Sequence, residues 1–79
     1  MRLDKFLKVS RVIKRRTIAY EACDAGRVIV NGKIAKAGLE VKPGDQIEIR
    51  FGSGNTKLEV LSTNEHVRKE EAQQMYINL

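Results

Sequence analysis

The chain has 79 residues, of which 42% are hydrophobic and 32% are charged, a composition typical of one folded domain rather than of a disordered segment. A chain of this length buries only about 60% of the surface that it exposes when unfolded, which argues against a deep, enclosed active site. No apolar run approaches the roughly 20 residues that cross a bilayer, so a soluble protein is expected. The one cysteine, Cys23, cannot form an internal disulfide, which agrees with a reducing cytoplasm.

Positive charge is concentrated at one end of the sequence. Residues 1–16 contain seven basic residues and one acid, whereas the rest of the chain contains eight basic and nine acidic residues, so the net charge of +5 comes from this end. The charges are spread among apolar residues and do not precede an apolar block, so no signal peptide is expected. Such segregation favours a polyanionic partner over a face that is merely solvated. We call residues 2–16 the basic segment; its cations are Arg2, Lys5, Lys8, Arg11, Lys14, Arg15 and Arg16.

The chain is predicted to begin with an amphipathic helix. Leu3, Phe6 and Leu7 follow the i, i+3, i+4 spacing of one helical face, and the basic side chains fall on the other side. Asp4 lies near the predicted helix start, where its negative charge interacts favourably with the positive end of the helix dipole. Among arginines, it is better explained as a capping or orienting residue than as a catalytic acid. The helix is expected to end or bend near Ser10.

A second helix is predicted to begin after Thr17, a good N-cap residue, and to end at Gly26, which favours the left-handed position after a helix. Residues 14–16 would then lie at the positive end of the helix dipole, where free N–H groups add to the attraction for phosphate. Tyr20 could stack on a base or cover the junction between the helices. The residues expected to keep the core-facing period are Ile18, Ala22 and Ala25, and the small residues Ala19, Ala22, Cys23 and Ala25 would permit close packing against the first helix.

The pattern changes from helix to strand after the second helix. Residues 27–30 are rich in β-branched side chains and precede Asn31-Gly32, a strong hairpin signal, so that residues 33–36 would form the return strand. This pair is best explained as a turn alone, although a turn beside the helices could also touch a polyanionic partner. Pro43-Gly44 favours a type II turn. Two further strands are predicted over residues 46–51 and 56–61, and their inward residues are Ile47, Ile49, Phe51, Leu58 and Val60.

Residues 70–75 predict a short helix, with Val67, Met75 and Tyr76 available to pack on the domain, and the chain end is expected to fray. We therefore divide the chain into a domain over residues 1–62 and a tail over residues 63–79. The fold class is α+β: two packed N-terminal helices on a small, antiparallel-rich sheet, with a short helix in the tail.

Neither a catalytic site nor a metal site is predicted. His66 has no partner at a catalytic spacing, and Cys23 has no companion at a metal-ligand spacing. The stretch Gly52-Ser53-Gly54 lacks the Lys-Ser/Thr of a phosphate-binding P-loop and is typical of a hairpin loop. We therefore expect a binding protein that is not an enzyme and that uses no metal or cofactor.

The pieces that carry a family resemblance are Arg2-Leu3-Asp4-Lys5-Phe6-Leu7, Arg11, Arg15-Arg16-Thr17, Ala19, Gly26-Arg27-Val28-x-Val30-Asn31-Gly32, Val41-x-Pro43-Gly44-Asp45-x-Ile47 and, in the tail, Lys69-Glu70-Glu71-Ala72-x-x-Met75-Tyr76. The order and spacing of these pieces closely resemble the RNA-binding domain named after small-subunit ribosomal protein four, called here the S-four domain. The resemblance covers residues 1 to about 51. The tail further resembles that of the bacterial RqcP family, also called YabO, which is related to the fifteen-kilodalton ribosome-associated heat-shock protein.

The resemblance implies that the two helices and the adjoining loop form the RNA-binding face and that the sheet supports them. For the RqcP family it implies ribosome-associated quality control in the bacterial cytoplasm. The protein would bind a large ribosomal subunit that retains peptidyl-tRNA, contact large-subunit rRNA and the tRNA in the P site, and support alanine tailing by RqcH. The free protein is expected to be a monomer.

The basic segment supplies the implied contacts. Arg2, Arg15 and Arg16 are the preferred ones, and Asp4 and Thr17 would support or orient them. The remaining cations follow as contacts, although Arg11 could instead pair with Asp4 or cap a helix.

Two other functions stay open at this point. The same face could serve ribosome assembly or the recycling of blocked large subunits, as in the heat-shock relative. A basic amphipathic segment could also lie on a membrane surface, but this one has no Trp, and its apolar face is needed for packing. Dependence of large-subunit binding on retained peptidyl-tRNA would separate the ribosomal functions, and liposome binding would support the membrane alternative.

Overall fold

A computed structural model describes residues 1–79, and the fold is α+β, as the sequence predicts. Two helices precede an antiparallel sheet, and a short 3₁₀ helix interrupts the C-terminal part of the chain. None of the helices combines the length and the apolarity that crossing a membrane requires. The elements are α1 (Leu3–Val9), α2 (Arg16–Asp24), β1 (Val28–Val30), β2 (Lys33–Ile34), β3 (Gln46–Phe51), β4 (Gly54–Val60), the 3₁₀ helix (Lys69–Met75) and β5 (Tyr76–Asn78).

The apolar face of α1 is the predicted one. Leu3, Phe6 and Leu7 have no exposed surface, and the helix ends at Ser10, which is its C-cap. Their large side chains lie in one core cluster with residues of α2 and of the sheet. The helix that packs against them therefore needs a face of small residues.

The core face of α2 agrees with the prediction only in part, because small residues do face the core but Ile18 and Ala25 do not. Ala19 and Cys23 are buried and Ala22 is partly buried, whereas Ile18 is 49% exposed and Ala25 is exposed. The three inward residues follow the i, i+3, i+4 spacing, and their small size lets α2 approach α1 closely. Because Ile18 lies one residue, or about 100°, away from Ala19, it points away from this contact.

The turns after α2 follow the sequence signals. Gly26 has a φ of 75°, as expected for the left-handed residue after a helix. Asn31 and Gly32 have φ angles of 51° and 83°, the signature of a type I′ hairpin turn between β1 and β2. Gly44 has a φ of 98° and Asp45 donates its N–H to the carbonyl of Lys42 at 3.1 Å, in agreement with the predicted type II turn.

The sheet has the order β2-β1-β3-β4-β5, and every neighbouring pair is antiparallel. Ile47, Ile49, Leu58 and Val60 are buried in the same core as the helices, as predicted. Phe51 is 43% exposed, contrary to prediction. It forms the last pair of the β3–β4 hairpin, and its partner there is Gly54, which offers no side chain to pack against.

The tail contributes to the sheet and the core. The predicted helix is a 3₁₀ helix, and its Ala72 and Met75 are each 1% exposed. The chain then adds β5, which pairs with β4 and which the sequence pattern did not predict. The carbonyl of Met75 also accepts the N–H groups of Leu61 and Ser62 at 2.8 and 3.2 Å. Division of the chain at residue 62 stays a prediction, tested by truncation below.

Candidate nucleic-acid interface

The basic segment extends from the start of α1 to the start of α2. Two cations lie on α1, two lie in the connection between the helices, and the others lie at the helix starts. All are exposed except Lys5, which is partly buried. In chain order, Arg2 is the N-cap of α1, Lys5 and Lys8 belong to α1, Arg11 and Lys14 lie in the connection, Arg15 is the N-cap of α2, and Arg16 is its first residue.

The start of α1 is fixed by a segment distant in sequence. Leu3 donates its N–H to the carbonyl of Leu39 at 2.8 Å, and Val41 donates its N–H to the carbonyl of Met1 at 2.9 Å. Arg2, which lies between these two bonds, forms an isolated antiparallel bridge with Glu40. The backbone of Arg2 is therefore held from both sides, although its side chain is half exposed.

Asp4 joins two arginines from different helices. Its carboxylate is buried and accepts the Nε–H of Arg2 on one oxygen at 3.2 Å and the Nε–H of Arg16 on the other at 3.3 Å. The arginine side chains stay 51% and 48% exposed. Because these bonds use only Nε, the terminal guanidinium nitrogens remain free to donate to a ligand. The prediction that Asp4 orients arginines is consistent with this geometry.

The same contacts control the charge of Asp4. Burial alone would raise its pKa, but hydrogen bonds from Arg16 and Arg2 and from the backbone N–H of Lys5 outweigh burial, so the net pKa lies below the ordinary value of 3.8. The carboxylate is therefore ionised at neutral pH. It holds the two arginines through charge-assisted hydrogen bonds.

Asp4 is expected to make stability depend on pH. Because its pKa is lowered by folding, its contribution is present above the unfolded pKa, near 3.8, and is lost as the pH falls through the lower folded pKa. Thermal unfolding of the wild type and Asp4→Asn should therefore differ most near neutral pH, and the difference should shrink below about pH 4. A difference that stays constant down to about pH 3 would contradict this assignment.

Arg11 is held in an unusual backbone conformation. The alternative in which it pairs with Asp4 is wrong, because Arg16 and Arg2 occupy that carboxylate. Arg11 instead follows the C-cap of α1 with a φ of 63° and donates its N–H to the carbonyl of Lys8 at 3.0 Å. Its backbone thus closes the helix in the left-handed position that Gly usually occupies, and its side chain is exposed.

The prediction that Thr17 caps α2 is wrong. The helix begins two residues earlier than this, at Arg16, and the N–H of Ala19 reaches the carbonyl of Arg15 at 3.1 Å. Thr17 therefore lies inside the first turn, where its hydroxyl cannot cap the helix. Arg15 is the N-cap and provides no side-chain hydrogen bond, so N–H groups of the first turn stay available beside Arg15 and Arg16. A supporting role for Thr17 at the interface stays a prediction.

A contact between α1 and the tail was not predicted from the sequence. Lys5 donates from Nζ to the carboxylate of Glu65 at 3.0 Å, and this hydrogen bond lowers the pKa of Glu65 below its ordinary value. The two residues are 60 positions apart, so no local pattern could have paired them. Glu65 places a negative charge and the start of the tail beside the basic segment.

Three other residues singled out by sequence lie in distinct environments. Cys23 is buried, and burial raises the pKa of its thiol to about 11, so the thiol is protonated at neutral pH. Tyr20 is half exposed and lines a groove that Arg2 also lines, and its stacking role stays a prediction. Asn31 uses its side-chain amide to bind Asp45 and the N–H of Gln46, which supports a structural turn.

Known proteins resemble this chain in both sequence and fold. The S4 domain, which is the S-four domain named above, matches residues 1–47. A relative from Halalkalibacterium halodurans, named RQC P-site tRNA stabilizing factor, is 59% identical over 76 residues, which cover 96% of this chain and 86% of the relative. The Bacillus subtilis protein of the same name is 54% identical over 76 residues, with coverage of 96% and 88%.

A solved structure extends the similarity to the whole fold. The trimeric structure of Vibrio cholerae Heat Shock Protein 15 has a TM-score of 0.91 and 34% sequence identity, and the alignment covers 100% of this chain and 81% of that one. Fold and basic segment together define a small S4-domain protein. Within that class, the chain belongs to the family of RQC P-site tRNA stabilizing factors, and the resemblance to the RqcP family is confirmed.

Proposed function

We propose that this protein binds RNA through the basic segment and stabilises tRNA in the P site during ribosome-associated quality control. The buried carboxylate of Asp4, which holds Arg2 and Arg16 side by side, is the observation that carries the proposal. Family membership supports the choice of tRNA, because the closely similar relatives are named for stabilising it.

The geometry suits a phosphate backbone. Guanidinium groups bind phosphate oxygens through parallel N–H donors, and the terminal nitrogens of Arg2 and Arg16 are the ones that Asp4 leaves available. A side chain already held in place also loses less conformational freedom when it binds. An RNA stem is recognised mainly through its shape, phosphates and 2′-hydroxyls, so a rigid pair of basic helices is sufficient to bind it.

We propose that the protein occupies a large ribosomal subunit that retains peptidyl-tRNA, where the basic segment contacts large-subunit rRNA and the tRNA and thereby supports alanine tailing by RqcH. It acts in the bacterial cytoplasm by positioning RNA rather than by catalysis, and it binds as a monomer without a cofactor. The preferred contacts are Arg2, Arg15 and Arg16, followed by Lys5, Lys8, Arg11 and Lys14.

A second candidate is the recycling of blocked large subunits or a role in assembly. The similarity to the heat-shock protein over the whole chain favours it as the alternative. The same phosphate-binding face would serve either function, so the distinction lies in whether tRNA is part of the binding site.

The two candidates are separated by binding to purified large subunits with and without P-site peptidyl-tRNA. We expect markedly tighter binding when the tRNA is present. Equal affinity for both particles would favour assembly, and preference for blocked subunits in a recycling assay would favour that function. Lys57→Ala, which removes an exposed cation from β4, is a matched control that should bind as the wild type does.

Binding is expected to weaken steeply with salt. If four or five phosphates are contacted, the release of counterions predicts an affinity on the order of a hundredfold lower at 200 mM than at 50 mM salt. Titration of large subunits at several salt concentrations gives the slope directly. A nearly flat slope would show that phosphate contacts do not dominate the interaction.

A further inference from the structure

A small polar cavity lies where the tail crosses α1. It has a volume of about 150 Å³, and its lining includes Lys8, Arg11 and Lys14 from the basic segment and Glu65, Val67 and Arg68 from the tail. Four of these residues are cations and one is an acid. The tail thus adds a fourth cation, Arg68, to the three cations that the basic segment contributes.

The four cations of this cavity are not paired with acids of the protein. Its acid, Glu65, accepts a hydrogen bond from Lys5, which does not line the cavity. None of the four cations that line it takes part in an ion pair. Like charges at close range repel one another, so the cluster is favourable for an anion.

The backbone of Arg11 supports a binding role. A left-handed φ of 63° is unfavourable for a residue with a Cβ atom, and Gly is the usual residue after a helix end. Arginine therefore brings no backbone advantage at this position. Its side chain lines the cavity, and residues held in such conformations cluster at binding sites.

Arg68 is held in place by the fold of the tail. It is the N-cap of the 3₁₀ helix, and its carbonyl accepts the N–H of Glu71 at 2.9 Å. The same helix ends at Met75, which is buried in the core. The backbone of Arg68 is thus fixed beside the cavity by the fold of the tail.

We propose that this cavity binds one backbone phosphate of RNA and that Arg68 is an RNA contact. Small-molecule sites typically measure about 300–1,000 Å³, so this volume suits a phosphate group better than a whole nucleotide. The proposal rests on the proposed function, since it extends the RNA-binding face from the two helices onto the tail.

The test compares Arg68→Ala with Lys69→Ala, which removes the neighbouring exposed cation outside the cavity. The probe is a large ribosomal subunit that carries P-site tRNA, titrated at several salt concentrations. Arg68→Ala should bind about tenfold more weakly, with a salt slope lower by about 1, whereas Lys69→Ala should stay close to the wild type. Equal effects of the two variants, or no effect of either, would overturn the proposal.

The variant Arg11→Gly tests the cavity through a second residue. Glycine adopts the left-handed conformation without strain, so the melting temperature should stay the same or rise while binding weakens. A fall in melting temperature together with unchanged binding would show that Arg11 is structural and would overturn its part in the site.

If binding requires Arg2 and Arg16 but not Arg68, the cavity proposal fails and the proposed function stands; if the wild type does not bind, both fail.

Discussion

Replacing Arg16 with alanine is expected to weaken binding to large subunits that carry P-site tRNA by about 10- to 100-fold, because a hydrogen bond to a charged group contributes about 1.5–3 kcal/mol. Arg2→Ala should behave similarly, since both guanidinium groups are held by Asp4 and are half exposed. Neither side chain belongs to the core, so the far-UV circular dichroism of the variants should match the wild type. Titration of the purified particles measures the effect.

Arg50→Ala is the matched control for this prediction. Arg50 is also half exposed and its Nε also contacts a carboxylate, that of Glu48 at 3.5 Å, but it lies on β3. We expect its removal to change affinity by less than about twofold, since a surface charge outside the interface contributes little. Equal losses from Arg50→Ala and Arg16→Ala would mean that net charge alone drives binding. Loss of folded structure in the Arg16 variant would mean that Arg16 stabilises the fold rather than binding RNA.

Replacing Met75 with alanine is expected to lower the free energy of unfolding by about 2–5 kcal/mol, the usual result of truncating a buried Met. Met75 is 1% exposed, and a chain of this length has a total stability of about 4–12 kcal/mol. A large part of the fold's stability therefore depends on a residue of the tail. Urea denaturation measures the loss, and the m-value shows whether the unfolding transition stays two-state.

Leu79→Ala is the control for Met75, because Leu79 is 61% exposed and its truncation should change stability by less than about 0.5 kcal/mol. Removal of residues 63–79 extends the test. It leaves β4 without its partner β5 and removes Ala72 and Met75 from the core, so the fragment should be strongly destabilised. A fragment of residues 1–62 with wild-type stability would instead establish the division at residue 62 as a true domain boundary.

The parts of the fold that sequence predicted well have strong local signals. The apolar face of α1, the Asn31-Gly32 turn and the alternation in β3 each depend on residues close in sequence. The small residues of α2 were expected to pack closely, but the prediction that Ile18 faces the core is wrong, because the packing of α2 depends on the large residues of the neighbouring α1, which favour small partners. Strand β5 was not predicted because three residues are too few to show the alternation of a strand, and their conformation is set by pairing with β4.

The candidate site was also predicted only where its features depend on residues close in sequence. The sequence located the positive charge and indicated that Asp4 orients arginines. It could not say which arginines share that carboxylate, because the packing of α1 against α2 brings Arg16 rather than Arg11 to Asp4. The contributions of Glu65 and Arg68 depend on the path of the tail across α1, which no local pattern specifies.

The central claim is that the basic segment faces RNA at the P site, and cryo-EM of native complexes isolated through a C-terminal tag tests it most directly. We expect density for residues 2–16 between P-site tRNA and large-subunit rRNA, with Arg2 and Arg16 at phosphate groups. Recovery of only tRNA-free particles, or a complex in which the sheet faces the RNA while residues 2–16 point into solvent, would contradict the claim.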